Sequence, residues 1–447
     1  MKRKFLNILP ALLILFCSNT LRAQKKALSL AEALTMAAHG NKELQVQTLE
    51  EFRHKEITKE TKSRLLPEIS ASAAYSHYFD RQTIFLPGSF TGSNKPVQDV
   101  AVGGRNGFNS FLSFTQPVLK ESAYRQTEAS VINEKFQKEK TTDLQSQVAL
   151  QVSTGYFNIL FLNSQINLQE QSLLRNIKAL EDARSLFARG RSLKVDTLRS
   201  YIAVENVRSS ISNLKNNIEV AGIQLKRLIG LNGEEEIELI DSLNIETDQS
   251  GFYRVSEALN TAELNRHDIK MQKLTVDLEQ KQLAVIKAER SPEISVVGQY
   301  QLQAQADDMR FGNYTWPRTS FLGLQLSIPI YNGNRTTSRI NQEKIKVQQE
   351  KIRLNDLRDK INAELASIIS RWKEANTQLS IQKTTVEAAE LNFTMINDRF
   401  ANGLSSRLEL TDAELALTQA KINHLQAVYN IKVLHVQLQQ SLGLLRL

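Results

Sequence analysis

Cysteine is all but missing from the 447 residues, and the single one, Cys17, falls within the first 23. A chain trimmed after that stretch has no disulfide framework and no cysteine-metal site. Histidine is scarce as well: His39, His54, His77, His267, His424 and His435 show no metal-ligand spacing. No phosphate-cradling loop, nucleophile elbow or Cys-His pairing occurs, so the residues point to neither an enzyme nor a cofactor. Long apolar runs are also lacking. The longest near the N-terminus, from Ile8 to Phe16, falls short of the ~20 residues a membrane-crossing helix needs. Basic excess is smaller than it looks. Of the formal net charge of +8, Lys2, Arg3, Lys4 and Arg22 supply 4 within residues 1–23, where no acid stands, leaving 8 − 4 = +4. That residue of charge gives no footing for nucleic-acid binding.

What is present begins with targeting. Lys2-Arg3-Lys4, the apolar run and the small residue closing Leu21-Arg22-Ala23 form a secretory signal cleaved after Ala23. Phe16 stands where lipoprotein processing wants a small residue before cysteine, so lipidation at Cys17 is not expected. The rest is organised by two heptad seams. Leu365, Trp372, Leu379, Val386, Phe393 and Phe400 recur every seventh residue, with Ile368, Ala375, Gln382, Ala389 and Ile396 as the companion row. Asn402-Gly403 interrupts, and Leu410, Leu417, His424, Ile431 and Leu438 run back beside Ala413, Ala420, Ala427 and Leu434. Two long helices around a glycine turn make an antiparallel hairpin with a left-handed supercoil. The same pattern lies 213 residues earlier: Val152, Ile159, Ile166, Leu173, Leu180 and Phe187 lead to Gly190, and Val204, Ile211, Ile218 and Leu225 follow.

Duplication extends to the segments before each hairpin. Residues 28–66 read as a helix capped by Ser29 with Glu32, and residues 255–291 as its counterpart 225 positions on. Pro67 and Pro292 end these helices, and Pro117 and Pro329 close the strand pairs that follow. Ile294, Val296, Gly298, Tyr300 and Leu302 alternate with Glu293, Ser295, Val297, Gln299 and Gln301; Leu322, Leu324, Leu326 and Ile328 alternate with Phe321, Gly323, Gln325 and Ser327. The expected strands are about 68–79, 107–117, 293–303 and 319–329, each near the length of a tilted membrane-crossing strand. Phe79, Phe85, Phe108, Tyr314 and Trp316 gather near strand ends, as an aromatic girdle does. Each strand pair runs into a helix; Arg335 to Phe400 alone gives ~100 Å at 1.5 Å per residue. The expected division is signal peptide 1–23, first repeat 24–231, linker 232–251 (with a brief strand at Ile237) and second repeat 252–447.

These parts meet one physical demand. In hydrocarbon every backbone group needs a partner, so a sheet spans only when closed. Four strands cannot close, and eight make a barrel filled by its own side chains. Twelve strands from three chains leave a passage that the helices continue. The expected fold is therefore mainly α with transmembrane β, built as duplicated helix-strand-strand-helix-helix units around a 12-stranded trimeric barrel.

The ordered set of helices, strand-flanking prolines and the Gly190 and Gly403 tips resembles the TolC-like outer-membrane efflux (outer-membrane factor) family over nearly all of Leu28–Leu447. The resemblance implies a homotrimeric channel in the outer membrane, extending into the periplasm and meeting outer-membrane lipid. It also implies a periplasmic adaptor and an inner-membrane transporter as partners, small molecules, metals or proteins as cargo, and no catalysis. It places an acidic ring at the pore aperture on Glu409 and Asp412, which share a helix face, with Asp196 as a partner in links closing the tip. The family's basic bridging position falls on Ser405. Arg399, Gly403, Leu404 and Ser405, with Arg189 and Gly190, resemble the adaptor-docking tips. Against these stand blander readings: a solvated face for the acids, and a left-handed turn that simply wants glycine. The alternative for the whole chain is a soluble periplasmic coiled-coil scaffold or adaptor subunit, which leaves the paired amphipathic strands unexplained.

Overall fold

A computed structural model describes residues 26–92, 94–233, 235–243 and 254–447. The signal peptide with Cys17, and positions 234 and 244–251 of the 232–251 linker, lie outside the described residues. In chain order the elements begin with β1 (Lys26–Leu28), α1 (Leu30–Gly40), α2 (Lys42–Ser63), β2 (Glu68–His77), β3 (Gln82–Pro87), α3 (Gly88–Thr91), β4 (Val97–Val102) and β5 (Asn106–Leu119). The first hairpin is α4 (Glu121–Ala188) and α5 (Lys194–Ile229). Then come β6 (Ile237–Leu239), α6 (Val255–Asn265), α7 (His267–Ala288), β7 (Glu293–Ala306) and β8 (Arg318–Ser327), and finally α8 (Arg335–Ala401) and α9 (Arg407–Ser441). Two compact units result. One holds the chain to Leu49, Glu139–Lys270 and Asp356–Leu447; the other holds Glu50–Lys138 and Met271–Asn355.

In the first unit the seams are where the helices bury themselves. Leu365 and Ile368 on α8, and Leu410, Ala413, Leu417, Ala420, Ala427, Ile431 and Leu438 on α9, are buried. A second core gathers Leu28, Ala33, Ala37 and Leu44 against Val148, Val152, Tyr156, Leu225 and Ile229. Tyr156 is fully buried, with its hydroxyl 2.9 Å from the Leu28 carbonyl and 2.8 Å from Asp241 Oδ2. Asp241 also accepts from the Leu30 amide at 2.9 Å, so it caps α1 and fixes β6 in its parallel pairing with β1. Burial, with the Asp241 carboxylate beside it, raises the Tyr156 phenol above its ordinary range. Part of the expected linker is therefore folded structure. The Ser29–Glu32 capping box forms as expected, with Glu32 Oε2 2.8 Å from the Ser29 amide.

The helices expected to run unbroken over 28–66 and 255–291 are each interrupted, at Asn41 and at Arg266. Both breaks come from close packing against a distant glycine. Gly230, at φ +77°, lies against Gly40 so closely that a Cβ would sit 2.3 Å from the Gly40 carbonyl oxygen. Gly443, at φ +74°, leaves a Cβ only 2.6 Å from the Arg266 nitrogen. Asn41 satisfies the freed backbone by accepting from the Glu43 and Leu44 amides at 3.0 and 3.1 Å, while its amide donates to the Leu228 carbonyl at 2.9 Å. At the second break Asp268 accepts from the Ile269 amide at 2.8 Å, and the Arg266 guanidinium donates to Asp268 (2.8 Å), Glu364 (3.1 Å) and the Ser441 carbonyl (3.1 Å).

The second unit is built on one antiparallel sheet of order β2-β5-β7-β8. Pro67 and Pro292 stand immediately before β2 and β7, and Pro329 lies just beyond β8. Pro117 does not end its strand. β5 continues to Leu119 through a bulge between Pro117 and Leu119, which absorbs the hydrogen bond proline cannot donate. A separate hairpin, β3 paired with β4, fills the loop between β2 and β5. Helices brace this unit through contacts such as Thr58 Oγ1 to the Ser130 carbonyl (3.4 Å) and Lys281 to Glu128 (2.8 Å).

Candidate channel site: strand faces and hairpin tips

Residues directly opposite in an antiparallel sheet share a face, and the register sorts this sheet cleanly. One face carries Ile69, Phe114, Gly298 and Leu322 in a row, with Ile294–Leu326 and Val296–Leu324 below it. The other carries Ser70, Ser113, Gln299 and Phe321, then Ser72, Phe111, Gln301 and Thr319. Leu322 and Leu324 are 75% and 77% exposed, so nothing among the described residues covers the apolar face there. At one end Tyr75, Phe108, Tyr314 and Trp316 stack with centroids 5.0 to 6.5 Å apart. Such a surface suits lipid on one side and a polar passage on the other. Among the described residues β2 and β8 are the outer strands, each pairing on one side only.

In the first unit the two hairpin tips fold alike. Gly190 and Gly403 take φ of +70° and +74°. Arg191 donates its amide to the Leu186 carbonyl and Leu404 donates to that of Arg399, at 2.9 and 2.8 Å, while each glycine amide reaches back three residues at 2.9 Å. This is the Schellman ending, which satisfies the last helical carbonyls and requires the left-handed residue. Ser405 Oγ donates to the Ile396 carbonyl at 3.2 Å, and Arg399 is spent on the Leu404 carbonyl at 3.2 Å. Leu404 is 69% exposed, and Arg189 is exposed as well.

The acids expected at the aperture divide. Glu409 and Asp412 are exposed on the first turns of α9, with Ser406 Oγ accepting from the Glu409 amide at 3.2 Å. Asp196 instead turns back on its own helix, accepting from the Leu193 amide at 3.2 Å. Asp196, Glu409 and Asp412 are all acids, so a link between them at the tip needs a cation. The basic group near Asp196 is Arg407, which the sequence reading passed over. It stacks on Phe400 at 5.2 Å and lies near Asp182, Glu414 and Asp196, yet its buried Nε and Nη2 meet no acceptor. Burial outweighs the attraction of those three carboxylates and lowers the Arg407 pKa. Glu414 is buried too, accepting from Arg175 Nε and Asn176 Nδ2, both at 3.1 Å; burial raises its pKa. A signal for this existed: Arg407, Glu414 and Lys421 stand seven residues apart, a charged row beside the seam.

No helix among the described residues is long and apolar enough to cross a membrane. The amphipathic ribbon with two open edges, together with α4 and α8 of 68 and 67 residues, defines a class: a barrel-wall subunit that also carries coiled-coil helices. The chain belongs to the outer membrane efflux protein family, whose model matches residues 33–231 and 258–444. It is 20% identical to the outer membrane protein TolC of Escherichia coli, over 98% of this chain and 86% of that one. It is 22% identical to the E. coli cation efflux system protein CusC, over 65% and 63%. The solved outer-membrane channel OprN superposes with a TM-score of 0.76 at 18% identity, covering 93% of this chain and 89% of that one. The protein is thus an outer-membrane efflux channel subunit, and the soluble scaffold reading is set aside.

Proposed function

We propose that three copies close a 12-stranded barrel in the outer membrane, joined edge to edge by β8 of one copy and β2 of the next. The sheet carries this reading. With four strands per chain in antiparallel order, β8 runs opposite to β2, so each junction continues the alternation with no mismatch. Closure then satisfies every edge group, as hydrocarbon demands. The helices serve as a periplasmic conduit whose tips around Gly190 and Gly403 dock a periplasmic adaptor coupled to an inner-membrane transporter. Arg189, Arg399, Leu404 and Ser405 shape those tips. Glu409 and Asp412 line the aperture, where three copies present six carboxylates that favour cations, and Asp196 contributes to its closure. The chain supplies a passage and no catalytic step; cargo is chosen by the transporter.

Cysteine pairs scanned along β2 and β8 test the junction. Trimers linked by disulfides in at least one antiparallel register are expected. A scan yielding only uncrosslinked chains in the assembled membrane protein overturns it.

A further inference from the structure

Three glutamates meet where α7 packs on α8 in the second unit. Glu343 is 3% exposed and Glu350 9%. Lys346 Nζ lies 3.1 Å from Glu343 Oε2. Glu350 pairs with Arg353 and accepts from Gln272 Nε2 at 2.8 Å. Two cations therefore balance two of the three carboxylates, and the charge of Glu279 is left over. The hydrogen bonding shows the same deficit from the other side: Glu343 Oε1 is buried and no donor reaches it. A buried carboxylate oxygen without a donor is destabilising. Glu279 is the neighbour placed to supply one, provided that it carries a proton. The charged groups acting on it are Glu343, Lys346 and Glu350, all on α8. No cluster of three ligating side chains suited to a metal ion occurs among the described residues.

We propose that Glu279 and Glu343 share one proton, and that this carboxylic acid–carboxylate bond makes the α7–α8 contact a pH-sensitive coupling. α7 leads directly into β7 and α8 follows β8, so the bond ties together the two helices that bracket this strand pair. With the proton held, the Glu279 hydroxyl donates to Glu343 Oε1 and the deficit closes. With it lost, two carboxylates face each other across the contact with Lys346, paired to Glu343, to offset them. Contact with Glu343, then burial, raises Glu279 from 4.5 to about 7. The folded chain thus holds the proton more tightly than the unfolded one. Its contribution is full on the acid side and is lost as pH rises from about 4.5 through about 7.

The test uses the full-length assembled protein in detergent. Its apparent melting temperature is expected to fall as pH rises through about 7, and this step is expected to be absent in Glu279→Gln. The amide of that variant donates to Glu343 Oε1 without titrating. In infrared titration, the carbonyl band of a protonated carboxyl is expected to disappear with a midpoint near neutrality in the parent and to be missing from Glu279→Gln. Parallel pH profiles for parent and variant overturn the proposal, as does a parent lacking the band at mildly acid pH. Should that variant fail to assemble, Glu343→Gln replaces it: the loss of both the melting step near neutrality and the matching part of the carboxyl band is expected, and their persistence overturns the proposal.

Discussion

Replacing Gly443 by alanine, with Gly403→Ala as its control, separates backbone strain from packing. Both glycines hold φ of +74°, so both substitutions carry the left-handed penalty of about 1–2 kcal/mol. They differ in surroundings. At Gly403 a Cβ meets nothing within 4 Å, whereas at Gly443 it falls 2.6 Å from both Arg266 N and Asn265 C. Those are backbone atoms at the break between α6 and α7, held by the Arg266 bonds to Asp268, Glu364 and Ser441, and they cannot rotate aside. Overpacking of this kind adds about 1–3 kcal/mol. Gly443→Ala is therefore expected to cost about 2–5 kcal/mol and Gly403→Ala about 1–2 kcal/mol. Denaturant midpoints of the detergent-solubilised assembly, read by tryptophan fluorescence, measure both. Equal losses would refute the claim that glycine contact, rather than local sequence, breaks the helix at Arg266.

Other consequences concern the faces and tips. Leu324→Arg with Leu326→Arg places two charges on the apolar sheet face at roughly 2–4 kcal/mol each if near the bilayer midplane; loss of membrane insertion is expected, and normal outer-membrane recovery would show that this face does not meet lipid. Glu409→Ala with Asp412→Ala is expected to weaken block by multivalent cations in planar bilayers, and unchanged block would remove both from the pore. Arg407→Met deletes a guanidinium whose buried Nε and Nη2 lack acceptors, so an unchanged or raised melting temperature is expected; a clear loss would show that its attraction to Asp182 and Asp196 outweighs burial.

The sequence revealed most where a period repeats over long distances. The seams of α8 and α9 could be read because the rows through Leu365 and Leu410 recur every seventh residue; Leu365, Leu410, Leu417, Ile431 and Leu438 are buried, while Trp372, Leu379, Val386, Phe393, Phe400 and His424 are half-buried. The sheet was legible because Leu322, Leu324 and Leu326 alternate with Gly323 and Gln325. Gly40-Asn41 is itself a local stop signal, whereas nothing comparable marks the break at Arg266. Arginine is a good helix former, and the contact that stops the helix comes from Gly443, far along the chain. The β3–β4 hairpin is hidden because Pro87, Pro96 and neighbouring glycines read as loop, masking the short alternation of Gln98, Val100 and Val102 with Val97, Asp99 and Ala101. Arg407 does not stand out in the sequence, because the expected basic position falls on Ser405. Its charged row with Glu414 and Lys421 becomes meaningful only once the first hairpin supplies Asp182, Arg175 and Asn176.

The molar mass of the protein in a mild detergent, with the bound detergent subtracted, tests the central claim most directly. A particle of three chains recovered from the outer-membrane fraction is what the open edges of β2 and β8 require. A single chain, stable and soluble after the membranes are removed, would contradict it.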